Sequence, residues 1–121
     1  MLTEREADAF ALEWIDAWNA HDLNRVLSHY SSDVVFSSPF VQALGAGASG
    51  ALEGCEPLRA YFGTALRKYP DLAFGLRAVF RGVETVTLLY HSVNGLLAAE
   101  TMALNQAGQV TRVWAQYESS R

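Results

Sequence analysis

The spacing of apolar residues changes partway along the chain, and this change most limits the folds open to it. Before Pro70, apolar side chains recur at helical intervals, as at Phe10, Trp14 and Trp18. From Leu72 to Phe80 they alternate, which is typical of a strand. Helices followed by a run of strands predict an α+β fold, with helices packed on one face of a sheet.

Three helices are predicted in the first half of the chain. Thr3-Glu4-Arg5-Glu6 fits the capping-box pattern and begins the first helix, and Asp22 is a suitable N-cap for a second, shorter one. Pro57 suits the first turn of a third helix. Between the second and third helices we expect a short strand at 34–36 and a mobile, glycine-rich loop at 45–54.

The second half predicts antiparallel hairpins. Asn94-Gly95 is a strong two-residue turn signal between strands at 85–93 and 96–104, and a last strand follows at 110–117. A two-residue turn here sets His91 opposite Ala98, with Glu100 as a diagonal neighbour of His91. If Thr87 and His91 face inward, His91 and Glu100 both point into the core.

Length and charge limit the class of protein. A chain of 121 residues, half of them hydrophobic, is enough for one domain with a substantial core, so we expect residues 1–121 to form a single domain. The net charge is −4, and no cluster of basic side chains is suited to phosphate backbones. Nucleic acid is therefore not a predicted partner.

The same composition bears on location. Charges or glycines interrupt each hydrophobic segment, so none approaches the roughly 20 apolar residues of a membrane span. Residues 1–10 carry four charged side chains where a secretory signal has an apolar run, and the single Cys55 cannot form an internal disulfide. These features predict a cytoplasmic protein with no membrane partner.

Several motifs follow one another along the chain: Ala17-Trp18-Asn19-Ala20-His21-Asp22-Leu23, the segments 30–36 and 38–39, Gly54 with the helix at 57–66, Asn94-Gly95, and the segment 105–110. In this order they resemble the SnoaL-like branch of the nuclear-transport-factor-two-like superfamily. The resemblance implies a cone-shaped, strongly curved antiparallel sheet wrapped around the three helices, with one central pocket and frequent dimerisation through the outer sheet face. This fold hosts isomerases, cyclases, dehydratases, epoxide hydrolases and binding proteins, so it does not fix an activity.

Ketosteroid isomerase relatives in this superfamily use a carboxylate base before a proline, with a tyrosine and a protonated aspartic acid as hydrogen-bond donors. The resemblance sets Ser38, Trp14 and Glu100 at these three positions. A serine cannot accept a proton as a carboxylate does, and a tryptophan offers only its indole N–H. The steroid isomerase mechanism is therefore not expected, and Glu100 alone keeps its chemistry.

His91 and Glu100 are the predicted catalytic pair. A carboxylate beside an imidazole raises the pKa of the histidine and orients its ring, which gives a possible general base. The alternative is a hydrogen-bonded pair on the outer face of the sheet or in the wall of a binding pocket. A slip of one residue in the hairpin register would separate the two side chains.

Six further residues are predicted to form the ligand pocket. The flat rings of Trp14 and Trp18 suit a ring-shaped ligand, and Tyr61 or Tyr117 can donate a hydrogen bond, although aromatic residues at such spacing also serve as core. Ser38 and Met102 complete the set. Trp114 falls on the opposite face of the last strand, where an exposed tryptophan favours a homodimer.

No cofactor or metal is predicted. The three histidines and one cysteine lack metal-ligand spacing. The segment from Gly45 to Gly50 matches GxGxxG, but it lacks the strand, helix and second strand that dinucleotide binding requires. We interpret it as a movable flap over the pocket.

Two functions remain open from the sequence. The first is a small-molecule enzyme that transfers a proton on an apolar, cyclic carbonyl or hydroxyl compound, as in isomerisation, cyclisation or dehydration. The second is a non-catalytic ligand-binding or dimerisation module with the same pocket.

Overall fold

The computed structural model describes residues 2–119, which form four α-helices and six strands. The helices divide between the start of the chain and the connections among the first strands. Their bounds are Glu4–Asn19 (α1), Leu23–Leu27 (α2), Pro39–Ala43 (α3) and Cys55–Lys68 (α4). The strands are Tyr30–Ser37 (β1), Ala51–Glu53 (β2), Gly75–Arg81 (β3), Thr85–His91 (β4), Leu97–Leu104 (β5) and Val110–Tyr117 (β6).

All six strands form one curved, open sheet in the order β2-β1-β6-β5-β4-β3. The predicted α+β cone is confirmed, and the sheet has one feature that the prediction lacked. Strand β1 runs parallel to β6, whereas the other neighbouring strands are antiparallel. A parallel pair needs a long crossover connection, and here the connection contains all the elements from α3 to β5.

Helix α1 supplies much of the core. Its start is the predicted capping box, in which Thr3 Oγ1 accepts from the Glu6 amide and Glu6 Oε1 accepts from the Thr3 amide. The apolar face of α1 packs on the concave side of the sheet, where Trp14 is 1% exposed. The buried residues of α1 are Ala7, Ala11, Trp14, Ile15, Ala17 and Trp18.

The segment between β1 and α4 is more regular than the sequence predicts. Pro39 occupies the first turn of α3, a fourth helix that was missed because the proline was interpreted as the end of a strand. The glycine-rich loop contains β2, which pairs with β1. Helix α4 begins at Cys55 rather than Pro57, after Gly54 with a φ of 89° that favours glycine.

The predicted register of the β4–β5 hairpin is wrong by one residue. The turn has three residues, Val93–Gly95, because Asn94 takes a left-handed φ of 59° and the Ser92 amide donates to the Leu96 carbonyl at 2.6 Å. His91 therefore lies opposite Leu97 instead of Ala98. A one-residue change reverses the two faces of a strand, so the inward residues of β4 are Val86, Leu88 and Tyr90.

The described residues contain no helix with both the length and the apolar character to cross a membrane.

Candidate functional site

A cavity of about 260 Å³ lies between the helices and the concave face of the sheet. Aromatic rings from α1, β1, α4 and β4 form most of its wall, which suits a flat apolar ligand. Polar groups are few and fall at particular points. The lining residues are Trp14, Trp18, Phe36, Phe40, Ala43, Leu44, Tyr61, Phe62, Ala65, Lys68, Tyr69, Leu72, Phe74, Tyr90, Ser92, Val93, Glu100 and Tyr117.

Glu100 is the sole carboxyl group among the described residues that line this cavity. It faces inward from the middle of β5 and is 4% exposed. The Tyr90 hydroxyl donates to Glu100 Oε1 at 2.7 Å. Burial raises the pKa of Glu100 to about 7, and the hydrogen bond from Tyr90 opposes this shift. A carboxyl group with this pKa can both accept and give a proton near neutral pH.

Two further tyrosines line the cavity close to Glu100. Burial raises the pKa of Tyr61 and of Tyr117, and the negative charge of Glu100 raises each pKa further. An interaction with the Ser38 side chain opposes both shifts, and for Tyr61 its effect is larger than that of Glu100. Both phenols therefore stay protonated at neutral pH and can donate hydrogen bonds to a ligand oxygen.

Trp14 does not offer a free donor to a ligand. Its indole Nε1–H donates to the Tyr30 hydroxyl at 3.0 Å, and both side chains are buried. The ring of Trp14 stacks on Phe74 at 5.9 Å between centroids and meets Tyr90 edge-on at 5.4 Å. Trp14 thus contributes wall surface to the cavity but no hydrogen bond to a ligand. The second donor that ketosteroid isomerase relatives have is therefore missing.

Five of the eight residues predicted for the site line the cavity: Trp14, Trp18, Tyr61, Glu100 and Tyr117. The other three do not. Met102 faces the same side of β5 as Glu100 but is fully buried in the core. Ser38 is 4% exposed and caps α3, where its Oγ accepts from the Phe40 amide at 3.2 Å.

His91 lies outside the cavity. Its side chain is exposed on the outer face of the sheet, and Arg77 Nη1 lies 2.9 Å from its Nε2. Because an arginine only donates, this contact requires Nε2 to accept, which a neutral imidazole can do. The predicted pairing of His91 with Glu100 is therefore wrong, and the cause is the three-residue turn between β4 and β5.

Two residues of the cavity wall, Tyr90 and Phe74, are absent from the predicted site. In the observed register, Tyr90 alternates with Leu88 on the inward face of β4 and lies diagonal to Glu100. Phe74 precedes β3 and is held by Asn19, whose side chain accepts from its amide at 2.6 Å and donates to its carbonyl at 3.0 Å. Pairing between residues so distant in the chain has no local sequence signal.

Trp114 lies on the outer sheet face, as predicted, and is 41% exposed. The guanidinium of Arg112 lies 5.1 Å from the centroid of its ring.

Within residues 2–119, no group of three or more histidine, cysteine or acidic side chains is arranged to hold a metal ion.

The protein belongs to the α+β class, with a curved sheet and helices that enclose an aromatic cavity. Its family follows from the sequence. Residues 11–116 match the profile of the SnoaL-like domain, so the chain belongs to the SnoaL-like family. Among curated proteins, none matches it significantly.

Solved structures agree with this assignment. A SnoaL-like protein of unknown function from Burkholderia thailandensis E264 is 40% identical, with 98% of each chain covered and a TM-score of 0.94. An NTF2-like protein of unknown function from Cytophaga hutchinsonii is 19% identical, with 98% of this chain and 92% of that chain covered and a TM-score of 0.71.

The epoxide hydrolase/cyclase-like enzyme SalBIII, which has a role in pyran ring formation in the polyether salinomycin, also has this fold. It is 13% identical to this chain, with 98% of this chain and 95% of that chain covered and a TM-score of 0.79. At this identity the likeness concerns the fold alone.

Proposed function

We propose that this protein is a small-molecule enzyme that transfers a proton on an apolar ring compound bearing a carbonyl or hydroxyl group. The observation that carries the proposal is the placement of Glu100, a buried carboxyl in an otherwise mainly aromatic cavity with a hydrogen bond from Tyr90. Glu100 takes over the role that the sequence suggested for His91.

The chemistry needs only groups that line the cavity. The Glu100 carboxylate removes a proton from a carbon next to the ligand carbonyl, and the electron pair moves onto the carbonyl oxygen. Tyr61 or Tyr117 donates a hydrogen bond to that oxygen and stabilises the developing charge. The protonated Glu100 then gives a proton back. If its proton has been replaced from solvent and returns to the same carbon, the result is hydrogen exchange; if the ligand has a conjugated double bond and the proton goes to the far carbon of the dienolate, the result is isomerisation.

Two properties of Glu100 support this role. Its pKa of about 7 divides the group between acid and base forms near neutral pH, where general acid–base catalysis is most effective. Its surroundings are apolar, so an electrostatic interaction with a reacting group is stronger here than in water. SalBIII, an epoxide hydrolase/cyclase-like enzyme with a role in pyran ring formation, shares this fold, so the fold is compatible with a small-molecule enzyme.

The alternative is a binding module without turnover, and the residue at position 38 favours it. Ser38 stands where ketosteroid isomerase relatives carry their carboxylate base, and its hydroxyl is engaged in capping α3. In a binding module, Glu100 and the tyrosines would orient a ligand through hydrogen bonds only. Both functions use the same cavity, so they differ only in whether a proton moves.

Exchange of the α-protons of 1-tetralone in D₂O, followed by NMR, separates the two functions. We expect the protein to accelerate this exchange at neutral pH, and the Glu100→Gln variant to lose the acceleration while still binding the ketone. His91→Ala is the matched control, since its side chain lies on the outer sheet face, and it should keep the full rate. Binding of 1-tetralone without accelerated exchange would support the binding module.

We also propose a homodimer formed through the outer sheet face. Trp114 is exposed there beside Arg112, and Thr101 lies opposite Trp114 on β5. Leu89, Ala99 and Ala103 add half-buried apolar surface on the same side of the central strands. In a dimer with a two-fold axis, this face of one copy would cover the same face of the other.

A further inference from the structure

The two tryptophans that line the cavity differ in their hydrogen bonds. Trp14 and Trp18 lie one turn apart on α1, with ring centroids 6.1 Å apart. The Nε1–H of Trp14 donates to Tyr30, whereas the Nε1–H of Trp18 has no hydrogen-bond partner in the described part of the protein. Trp18 is 5% exposed. A buried donor without a partner is unfavourable, so an acceptor supplied by another molecule would stabilise it.

The aromatic rings that pack on Trp18 do not supply that acceptor. Its ring meets Phe62 edge-on at 4.8 Å between centroids and lies 5.5 Å from Phe74. These neighbours offer only hydrocarbon surface and a weak N–H···π contact. The ring of Trp18 also borders the cavity, so a small shift of this side chain on ligand binding would bring its buried N–H within reach of an oxygen atom there.

We propose that the Trp18 indole N–H donates a hydrogen bond to the ligand, and that the ligand is a ring compound with two oxygen functions. The carbonyl group of the ligand lies beside the Glu100–Tyr90 pair, with its oxygen at Tyr61 or Tyr117, and the second oxygen lies at Trp18. This inference rests on the proposed function, because it assigns a second polar contact within the same cavity. It makes Trp18 a specificity-determining residue rather than only a wall.

The wall between the two polar points indicates the size of the ligand body. Trp14 contacts both ends, with centroids 6.1 Å from Trp18 and 5.4 Å from Tyr90, and Phe74 also contacts both. A flat ring system lying along Trp14 and Phe74 brings oxygens on its opposite sides toward the two polar points. Hydroxy-ketones and diones of bicyclic compounds have this arrangement.

The first test measures the affinity of three bicyclic probes by calorimetry: tetralin without oxygen, 1-tetralone with one, and 4-hydroxy-1-tetralone with two on opposite sides of the ring. The wild-type protein should bind the two-oxygen probe about tenfold more tightly than 1-tetralone, as expected for one added buried hydrogen bond. Trp18→Phe should remove this advantage. The ratio of the affinities for 1-tetralone and tetralin should stay within about twofold of its wild-type value. Tetralin corrects for the change in cavity shape.

Equal affinities of wild type for 1-tetralone and the two-oxygen probe would overturn the inference, and so would an unchanged advantage in Trp18→Phe. If either result accompanies loss of proton exchange in Glu100→Gln, the proposed function survives without the Trp18 contact. Failure of the wild-type protein to bind any probe would contradict both proposals.

The second test needs no ligand. Trp14→Phe and Trp18→Phe remove the same ring volume, but only Trp14→Phe removes a hydrogen bond, which leaves the Tyr30 hydroxyl without its donor. In urea denaturation at pH 7, Trp18→Phe should therefore lower the midpoint less than Trp14→Phe. An equal or larger loss in Trp18→Phe would mean that its N–H already has a stabilising partner, such as the Phe62 ring, and would overturn the inference.

Discussion

The Tyr90 hydroxyl donates a 2.7 Å hydrogen bond to Oε1 of Glu100 from the neighbouring strand. Leu88 lies directly opposite Glu100, so Tyr90 reaches it diagonally across the β4–β5 pair. Both side chains are buried and both line the cavity. The bond keeps the carboxyl oriented, and it limits the extent to which burial raises its pKa. Several expected properties of the protein follow from this pair.

Stability should fall as pH rises toward neutrality. Burial raises the pKa of Glu100 from 4.5 in the unfolded chain to about 7 in the folded protein, so the folded state holds a proton that the unfolded state releases between these values. The free energy of unfolding then falls by about 3 kcal/mol between pH 4.5 and 7 on account of this group. Glu100→Gln should remove that part of the dependence in urea denaturation curves recorded across this range. An unchanged pH dependence in the variant would contradict the assignment.

Loss of the Tyr90 hydroxyl should make Glu100 a weaker acid. The hydrogen bond lowers the pKa of Glu100, so Tyr90→Phe should move that pKa upward. The rate of 1-tetralone exchange rises as Glu100 ionises. The rising limb of the plot of exchange rate against pH should therefore move to higher pH in this variant. Tyr117→Phe is the comparison: it removes a proposed donor and can lower the rate, but it should leave the limb at the same pH, because Tyr117 makes no hydrogen bond to Glu100 within the described residues. A limb that moves to lower pH in Tyr90→Phe would refute the proposed role of the bond.

Removal of the Asn19 amide should loosen the cavity wall at Phe74. Asn19 makes two hydrogen bonds to the Phe74 backbone, and Asn19→Ala leaves both backbone groups without that partner. We expect a loss of about 2 kcal/mol in the free energy of unfolding, measured with urea. Asn24→Ala removes one exposed bond to Arg59 and should cost less than about 0.5 kcal/mol. Equal effects of the two variants would show that the Phe74 contact is not structural.

A charge at Trp114 should prevent dimer formation. If the outer sheet face pairs with its copy, Trp114→Glu introduces two like charges into the interface, and sedimentation velocity should change from dimer to monomer. Leu12→Glu is the matched control, because Leu12 is 64% exposed on helix α1, away from the sheet face. A monomeric wild-type protein at micromolar concentration, or a Trp114→Glu variant that stays dimeric, would exclude this interface.

Local signals predicted much of the fold. The capping box at Thr3 and the helical spacing of Trp14 and Trp18 fixed the start and the buried face of α1, because both depend on residues within two turns of each other. The last strand was predicted at its observed bounds, Val110–Tyr117. The parallel pairing of β1 with β6 has no such signal, since it joins segments about 75 residues apart.

The site was harder to predict because it depends on one turn. Asn94-Gly95 is typical of a two-residue hairpin loop, and the sequence does not reveal that Val93 joins it to make three. That single residue moved His91 to the outer face and brought Tyr90 inward. Glu100 was placed correctly, because its assignment came from its position in the family pattern and did not depend on the turn.

The central claim is that Glu100 is the proton-transfer group of a ligand cavity, and the titration of its side-chain carboxyl carbon by ¹³C NMR tests it most directly. The signal can be assigned by its absence in Glu100→Gln. We predict a midpoint near pH 7 that moves when 1-tetralone is added at saturating concentration. A midpoint near 4.5, unchanged by the ketone, would mean that the carboxyl is solvated and remote from the ligand, and would contradict the account.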